Sequence, residues 1–300
     1  MSDPSLQSTS ESSTVGVIGL VASVGEAVRE ALSVSGAWLV SLVVGAADFS
    51  RFCGAVLMGL PHLRTWARRD RLMPQLFFVG TTSIPVLALT GAFIGMTLAF
   101  EGYPQFRAIG QEGRLGGVIN ISVVKQLGPV LAGVMLAGRV GCSLAAALGS
   151  MRVTEQLDAM RAMASDPIRV LVVPRVVACV VMIPALTVVS NLCGVLGGLL
   201  VTIYFYGADR EQYFYYSQLL VNWYEIAQGL VKSLFFGAAM GMIACYKGFN
   251  CRPGAEGVGR ATTEAFVASF LAIILLGLVM AKVGNDIGQI IYGGSTSVFR

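Results

Sequence analysis

Side chains that do covalent, acid–base or metal chemistry are sparse and scattered in this chain. Its 300 residues include 17 Asp and Glu, one histidine (His62) and six cysteines with no Cys-x-x-Cys pair. A lone histidine makes no metal site, and cysteines within apolar runs read as small packing residues. No His-Glu-x-x-His, Gly-x-Ser-x-Gly or paired-carboxylate pattern occurs, so an enzyme is the weaker class. The stretch Gly254-Ala-Glu-Gly-Val-Gly-Arg-Ala-Thr-Thr263 is glycine-rich but has no Gly-Lys-Ser/Thr. It reads as a turn feeding the last helix, with Thr262 or Thr263 near its start. There is no Walker A sequence, so any ATP that drives this protein is hydrolysed on another polypeptide. The chain itself is expected to bind no cofactor.

The chemistry that remains is electrostatic. The block Arg152-Val-Thr-Glu-Gln-Leu-Asp-Ala-Met-Arg161 lies between two long apolar runs. It is too polar for a bilayer and too short for a domain. Thr154 can cap a helix whose first turn holds Glu155, at the positive end of the dipole. Val153, Leu157, Met160 and Ala164 then share one face, Glu155 and Asp158 the opposite one, and Asp166-Pro167 ends the helix. Such a helix, over 152–164, suits a groove on a soluble partner, and a solvated loop with accidental periodicity fits equally well.

Single cations interrupt the apolar runs, where charge is costly and often functional. Lys125 stands at the outer end of one run, Arg139 near its middle, and Lys232 early in another. Arg139 is expected to hold a buried carbonyl or carboxylate. Lys125 and Lys232 either grip an anionic headgroup in a cavity or snorkel to the interface. Lys282 and Asp286, four apart, are expected to pair.

The elements that position these residues follow from composition. With 55% hydrophobic and 13% charged residues, against roughly 25% charged in soluble domains, the chain is a polytopic all-α membrane protein. Apolar runs of bilayer length predict five spans, about 72–100, 118–151, 168–206, 226–246 and 263–292. Before them, Trp38, Leu42, Ala46, Phe49, Cys53, Val56 and Leu60 recur three or four apart. That spacing predicts a helix over 38–60 lying in the membrane interface, with a sixth span as the competing reading. Residues 1–35 read as a disordered, weakly amphipathic extension to a domain over 36–300. The Ser/Thr-rich start has no apolar core and no basic residue, so no signal peptide is expected.

Small residues crowd the second run, from Gly128 to Gly149, and allow backbones to approach closely. Basic residues set the orientation. Eleven (Arg64, Arg68, Arg69, Arg71, Arg152, Arg161, Arg169, Arg175, Lys247, Arg252, Arg260) fall on one side and four (Arg107, Arg114, Arg210, Arg300) on the other. The positive-inside rule then places the N-terminus and the 152–161 block in the cytoplasm and the C-terminus outside. The net charge of +4 is a topology signal and gives no reason to invoke nucleic acid.

An ordered set of segments resembles the MlaE/YrbE family of permeases. These are Leu98-Ala-Phe-Glu-Gly-Tyr103, Gln126-Leu-Gly-Pro-Val-Leu-Ala-Gly133, Leu136-Ala-Gly-Arg-Val-Gly141, Met151-Arg-Val-Thr-Glu-Gln-Leu-Asp-Ala159, Asp166-Pro167, Val173-Pro-Arg175, Lys232-Ser233, Cys245-Tyr-Lys-Gly248 and Ala255 to Thr263. The resemblance implies a homodimeric ABC transporter permease of the cell inner membrane, with an interfacial elbow helix and five spans per copy. Its cargo would be phospholipid or a related hydrophobic molecule. It also implies an ATPase subunit that binds ATP and Mg, an Mce-domain lipid-binding protein and, in some systems, a STAS-domain subunit. Glu155, Gln156, Leu157, Asp158 and Met160 would form the coupling helix. Phe93, Met96, Phe100, Tyr103, Lys125, Gln126 and Lys232 would line the lipid cavity. The family commonly has Arg-Glu before Leu-Gly-Pro, where this chain has Lys125-Gln126, so the charge is kept and the acid is lost. A secondary transporter of a hydrophobic or anionic solute is the alternative. It would need midplane ion-coordinating groups or internal repeats, of which only Arg139 is present.

Overall fold

The computed structural model describes residues 43–61 and 69–291. The N-terminal extension, the first residues of the expected interfacial helix and the last residues of the final run lie outside that range. Among the described residues there is no strand, and five helices are long and apolar enough to cross a membrane. They run Asp70–Ala108, Glu112–Val153, Ile168–Phe205, Trp223–Phe249 and Ala255–Ile290, and are called the first to fifth spans. A helix over 43–59 precedes them and is not among the five. The chain divides into two units, Met1–Gly54 and Ala55–Arg300. In the smaller unit Asp48 and Arg51 pair at 3.8 Å.

Two spans run further than their apolar cores. The first continues through Glu101 and Arg107 to Ala108, and the fifth begins at Ala255, so the glycine-rich stretch is helix and not a turn. Thr262 and Thr263 do not start that helix, because both hydroxyls donate back to the Gly259 carbonyl within it. A helix closes its backbone hydrogen bonds internally, so polar side chains do not stop it where the hydrocarbon ends. At ~1.5 Å per residue the fifth span far exceeds a ~30 Å core and must tilt or project.

The third and fourth spans form the centre of the bundle. Leu87, Leu136, Val140, Ile183, Phe236, Met240 and Ile273 fill one continuous core between the spans. The first and third spans touch backbone to backbone. A Cβ on Gly95 would fall on the Gly194 carbonyl, so no residue with a side chain fits there.

Four single π turns punctuate the helices, at Val123–Leu127, Ala137–Gly141, Ile168–Val172 and Leu200–Phe205. Each inserts a residue and turns the side chains that follow onto a new face. A short helix, Arg210–Leu220, joins the third and fourth spans. Asp209 caps it by accepting the Glu211 N–H at 3.1 Å. The buried Tyr213 anchors this helix by donating to Asn120 Oδ1 at 3.3 Å, while Asn120 donates to Ser217 Oγ at 2.9 Å. Burial pushes the Tyr213 phenol above its ordinary range.

Candidate functional site

The polar centre of the bundle is built around one proline. Pro129 opens the helix after the first π turn and has no N–H to give the carbonyl four residues earlier, that of Lys125. The Lys232 ammonium donates to that carbonyl instead, at 3.1 Å, and to Gln126 Oε1 at 2.7 Å. Lys232 is only 1% exposed, so its acceptors stand in for water. The fourth span reaches this position because residue 229 is glycine. A Cβ there would press into the Val124 carbonyl and push the second and fourth spans apart.

One shell outward, Lys125 Nζ pairs with Glu225 Oε2 at 2.9 Å, with both side chains mostly buried. Glu225 lies seven residues before Lys232, two turns along the same helix face. Together with Ile121, Tyr224, Gly284, Asn285, Gly288 and Gln289, the pair lines a cavity of about 280 Å³. Tyr224 donates to the Gly284 carbonyl. Gln228 is buried one turn from Glu225, and its amide finds no hydrogen-bond partner. Lys125, Lys232 and Glu225 leave one net positive charge. Through this cavity an anion can reach Lys125, with Lys232 enclosed behind it, without any covalent step.

Of the residues expected to line a lipid cavity, Lys125, Gln126 and Lys232 come together. The four from the first span do not join them through any hydrogen bond, ion pair or ring contact. Phe93 and Phe100 are exposed, Met96 packs against the Ala99–Ile119 core, and Tyr103 is buried within it. Tyr103 stacks on Tyr206 at 4.0 Å and donates to Glu112 Oε2 at 3.0 Å. Phe100 meets Phe205 and Tyr206 edge-on at 5.2 and 6.0 Å. Tyr103 is therefore a packing residue in this chain, and Lys232 is enclosed and reaches no open surface.

Arg139 is also not where the sequence put it. Among the described residues it has no hydrogen bond or ion pair, and it is exposed. The π turn Ala137–Gly141 carries Ala137, Val140 and Gly141 inward and leaves Arg139 facing out. Lys282 and Asp286 are likewise exposed and, among the described residues, form no ion pair.

The charged block does form a helix between spans, Gln156–Ala162. Thr154 does not cap it. Its hydroxyl donates back to the Ser150 carbonyl at 2.9 Å, closing the second span. The entry turn is made by Glu155 in a left-handed conformation (φ 57°), and Ala164 (φ 55°) makes the exit. Both are uncommon conformations for residues other than glycine. Of the apolar stripe, Leu157 is buried against this chain's own bundle, Val153 and Met160 are half-buried, and Ala164 is exposed. Asp158 accepts from Arg152 Nη1 at 3.0 Å and Arg161 Nη1 at 2.9 Å, and Arg161 lies 5.4 Å over the Phe249 ring. Glu155, Gln156 and Met163 are exposed, and Met160 is half-buried. A cavity of about 340 Å³ opens beside them, lined by Arg161, Ala164, Ser165, Asp166, Pro167, Ile168 and Phe249.

Glu225 and Gln228 were not found from the sequence. The signal was present, because the acid missing at 126 could be sought one or two turns from Lys232. That search needs the pairing of the second and fourth spans, which only the fold supplies.

The sequence of this chain is similar to those of known proteins. The family model "Permease MlaE" matches residues 72–283. A probable ABC transporter permease protein of Rickettsia typhi is 42% identical over 208 residues, 68% of this chain and 79% of that protein. The intermembrane phospholipid transport system permease protein MlaE of Haemophilus influenzae is 34% identical over 241 residues, 80% of this chain and 91% of its own length. The chloroplastic protein TRIGALACTOSYLDIACYLGLYCEROL 1 of Arabidopsis thaliana is 32% identical over 227 residues, 76% of this chain and 63% of that protein. The family match covers more than half the chain and takes in Lys125, Gln126, Glu225 and Lys232, and this multi-pass membrane protein belongs to the MlaE family of permeases.

Proposed function

We propose that this chain is the membrane-spanning subunit of an ABC transporter that moves phospholipid between membranes, driven by a separate ATPase. Family membership and the phospholipid transport named for the Haemophilus relative support the reading. The observation that carries it is Lys232, a buried ammonium whose acceptors are neutral oxygens. With Lys125 already answered by Glu225, the centre keeps an unbalanced positive charge that suits a phosphate.

In this reading the Glu155–Met163 segment receives the ATPase. Asp158 and its two arginines hold the segment rigid, and Glu155, Gln156 and Met163 face the partner. ATP and Mg are held by that partner. A second copy of the chain completes the cavity by facing the exposed surfaces of Phe93 and Phe100. An Mce-domain protein exchanges lipid on the far side, and a STAS-domain subunit joins the ATPase. The membrane is the cell inner membrane, with the basic side of the chain in the cytoplasm.

The test is ATP-dependent transfer of fluorescent phospholipid from vesicles carrying the chain with its co-purified ATPase. Transfer that needs ATP and is abolished by Lys232→Met is expected. Transfer that runs on a proton gradient without ATP would overturn the reading.

A further inference from the structure

On the basic side of the bundle, far along the chain from Lys232, a second buried cation stands without an anion. Arg175 sits in the first turns of the third span and is 6% exposed, and its Nη1 is buried with no hydrogen-bond partner. Among the described residues no ion pair reaches it. A buried guanidinium N–H left this way carries a desolvation cost that negative charge beside the group would offset.

The surroundings are shaped for one. Arg175 lines a cavity of about 200 Å³ with Asp70, Arg71, Pro74, Gln75, Leu171 and neighbouring residues of the third span. That is smaller than the roughly 300–1,000 Å³ of a typical small-molecule site, and suits a headgroup better than a whole lipid. The lining holds two arginines, Arg71 and Arg175, and one carboxylate, that of Asp70. The walls are the first turns of two spans, the part of a membrane helix that lies outside its apolar centre. Beside it on the first span, Met73 and Phe77 are exposed four residues apart, giving acyl chains an apolar track along the same helix face.

We propose that this cavity is a phospholipid site, in which the phosphate of an anionic membrane lipid sits against Arg175 with Arg71 beside it. It is separate from the Lys232 centre. The lipid binds as a fixed part of the bundle, pinning the first span to the third, and is not cargo. Guanidinium groups match phosphate oxygens in two-pronged geometry, which a lysine there would not reproduce.

The experiment uses the full-length chain in phosphatidylcholine nanodiscs, with and without phosphatidylglycerol, read by native mass spectrometry and thermal melting. The wild-type chain is expected to retain phosphatidylglycerol and to melt higher when it is present. Arg175→Gln should weaken that retention about tenfold or more. If that variant does not fold, Gln75→Glu carries the test. It places a carboxylate in the cavity and should melt high without phosphatidylglycerol and stop responding to it. Lys282→Gln, at an exposed cation outside both sites, should leave the response intact. A response that persists in both cavity variants, or vanishes in Lys282→Gln, would overturn the proposal. So would inorganic phosphate alone reproducing the whole shift, because the site would then take a free anion.

Discussion

The two ends of the bundle handle charge in opposite ways. At the 152–162 end, Asp158 pairs with Arg152 and Arg161 at 3.0 and 2.9 Å while about half exposed to water. At the other end Lys232 is enclosed and held by a carbonyl and an amide oxygen. Exposed pairs contribute about 0–1 kcal/mol each, so the first arrangement mainly fixes shape. A buried charge costs several kcal/mol to desolvate, so the second persists only where every partner is placed by the fold. One end keeps its charges paired at the surface. The other is built to hold a charge ready.

The contrast can be broken most sharply by removing the contact that creates the buried end. Gly229→Val sets a branched side chain against the Val124 carbonyl and should part the second and fourth spans, at about 1–3 kcal/mol of overpacking or more. We expect loss of a monodisperse peak in detergent. Normal elution with normal transfer would show that the close approach is dispensable.

Lys232→Met should come next. It leaves two neutral acceptors unmade, about 1–3 kcal/mol, yet should abolish phospholipid transfer. A variant that melts near the wild-type temperature and still transfers lipid would make the ammonium a packing group. Glu225→Gln should have a smaller effect, about a tenfold fall in transfer, by leaving Lys125 unanswered. Adding Gln126→Glu should recover most of it, because the acid then lies beside Lys232 as in the commoner family pattern. The smallest change is expected at the exposed end. Asp158→Asn should cost less than about 1 kcal/mol in melting while loosening the helix entry. ATPase stimulation by the permease should then fall two- to threefold, by about 0.5 kcal/mol of coupling. A fall as large as that of Lys232→Met would erase the distinction between the ends.

The spans were legible because a charge-free run of bilayer length has few other uses, and the second to fourth fall close to where such runs predict them. The boundaries were less so. Ala255–Thr263 reads as a turn by its glycines but is helical, since helix propensity is a weak prior beside tertiary packing. The helix Arg210–Leu220 was overlooked although Asp209 gives an ordinary cap signal, because attention to apolar length passes over short amphipathic helices. The direction of Arg139 could not be read at all. A π turn leaves no mark in a 3.6-residue pattern, yet decides which way the side chain faces. Lys125, Gln126 and Lys232 were found as cations and neighbours of a motif. Glu225 became visible only when the fourth span was laid against the second.

The contact between Gly95 and Gly194 has a mechanical corollary. Where two helices meet main chain to main chain, there is no layer of side chains to change rotamer and let one slide past the other. The first and third spans are thus a single stiff plate. Any force applied at the 152–162 end must swing that plate whole or move the fourth and fifth spans against it, and Lys232 lies at the seam between the second and fourth spans.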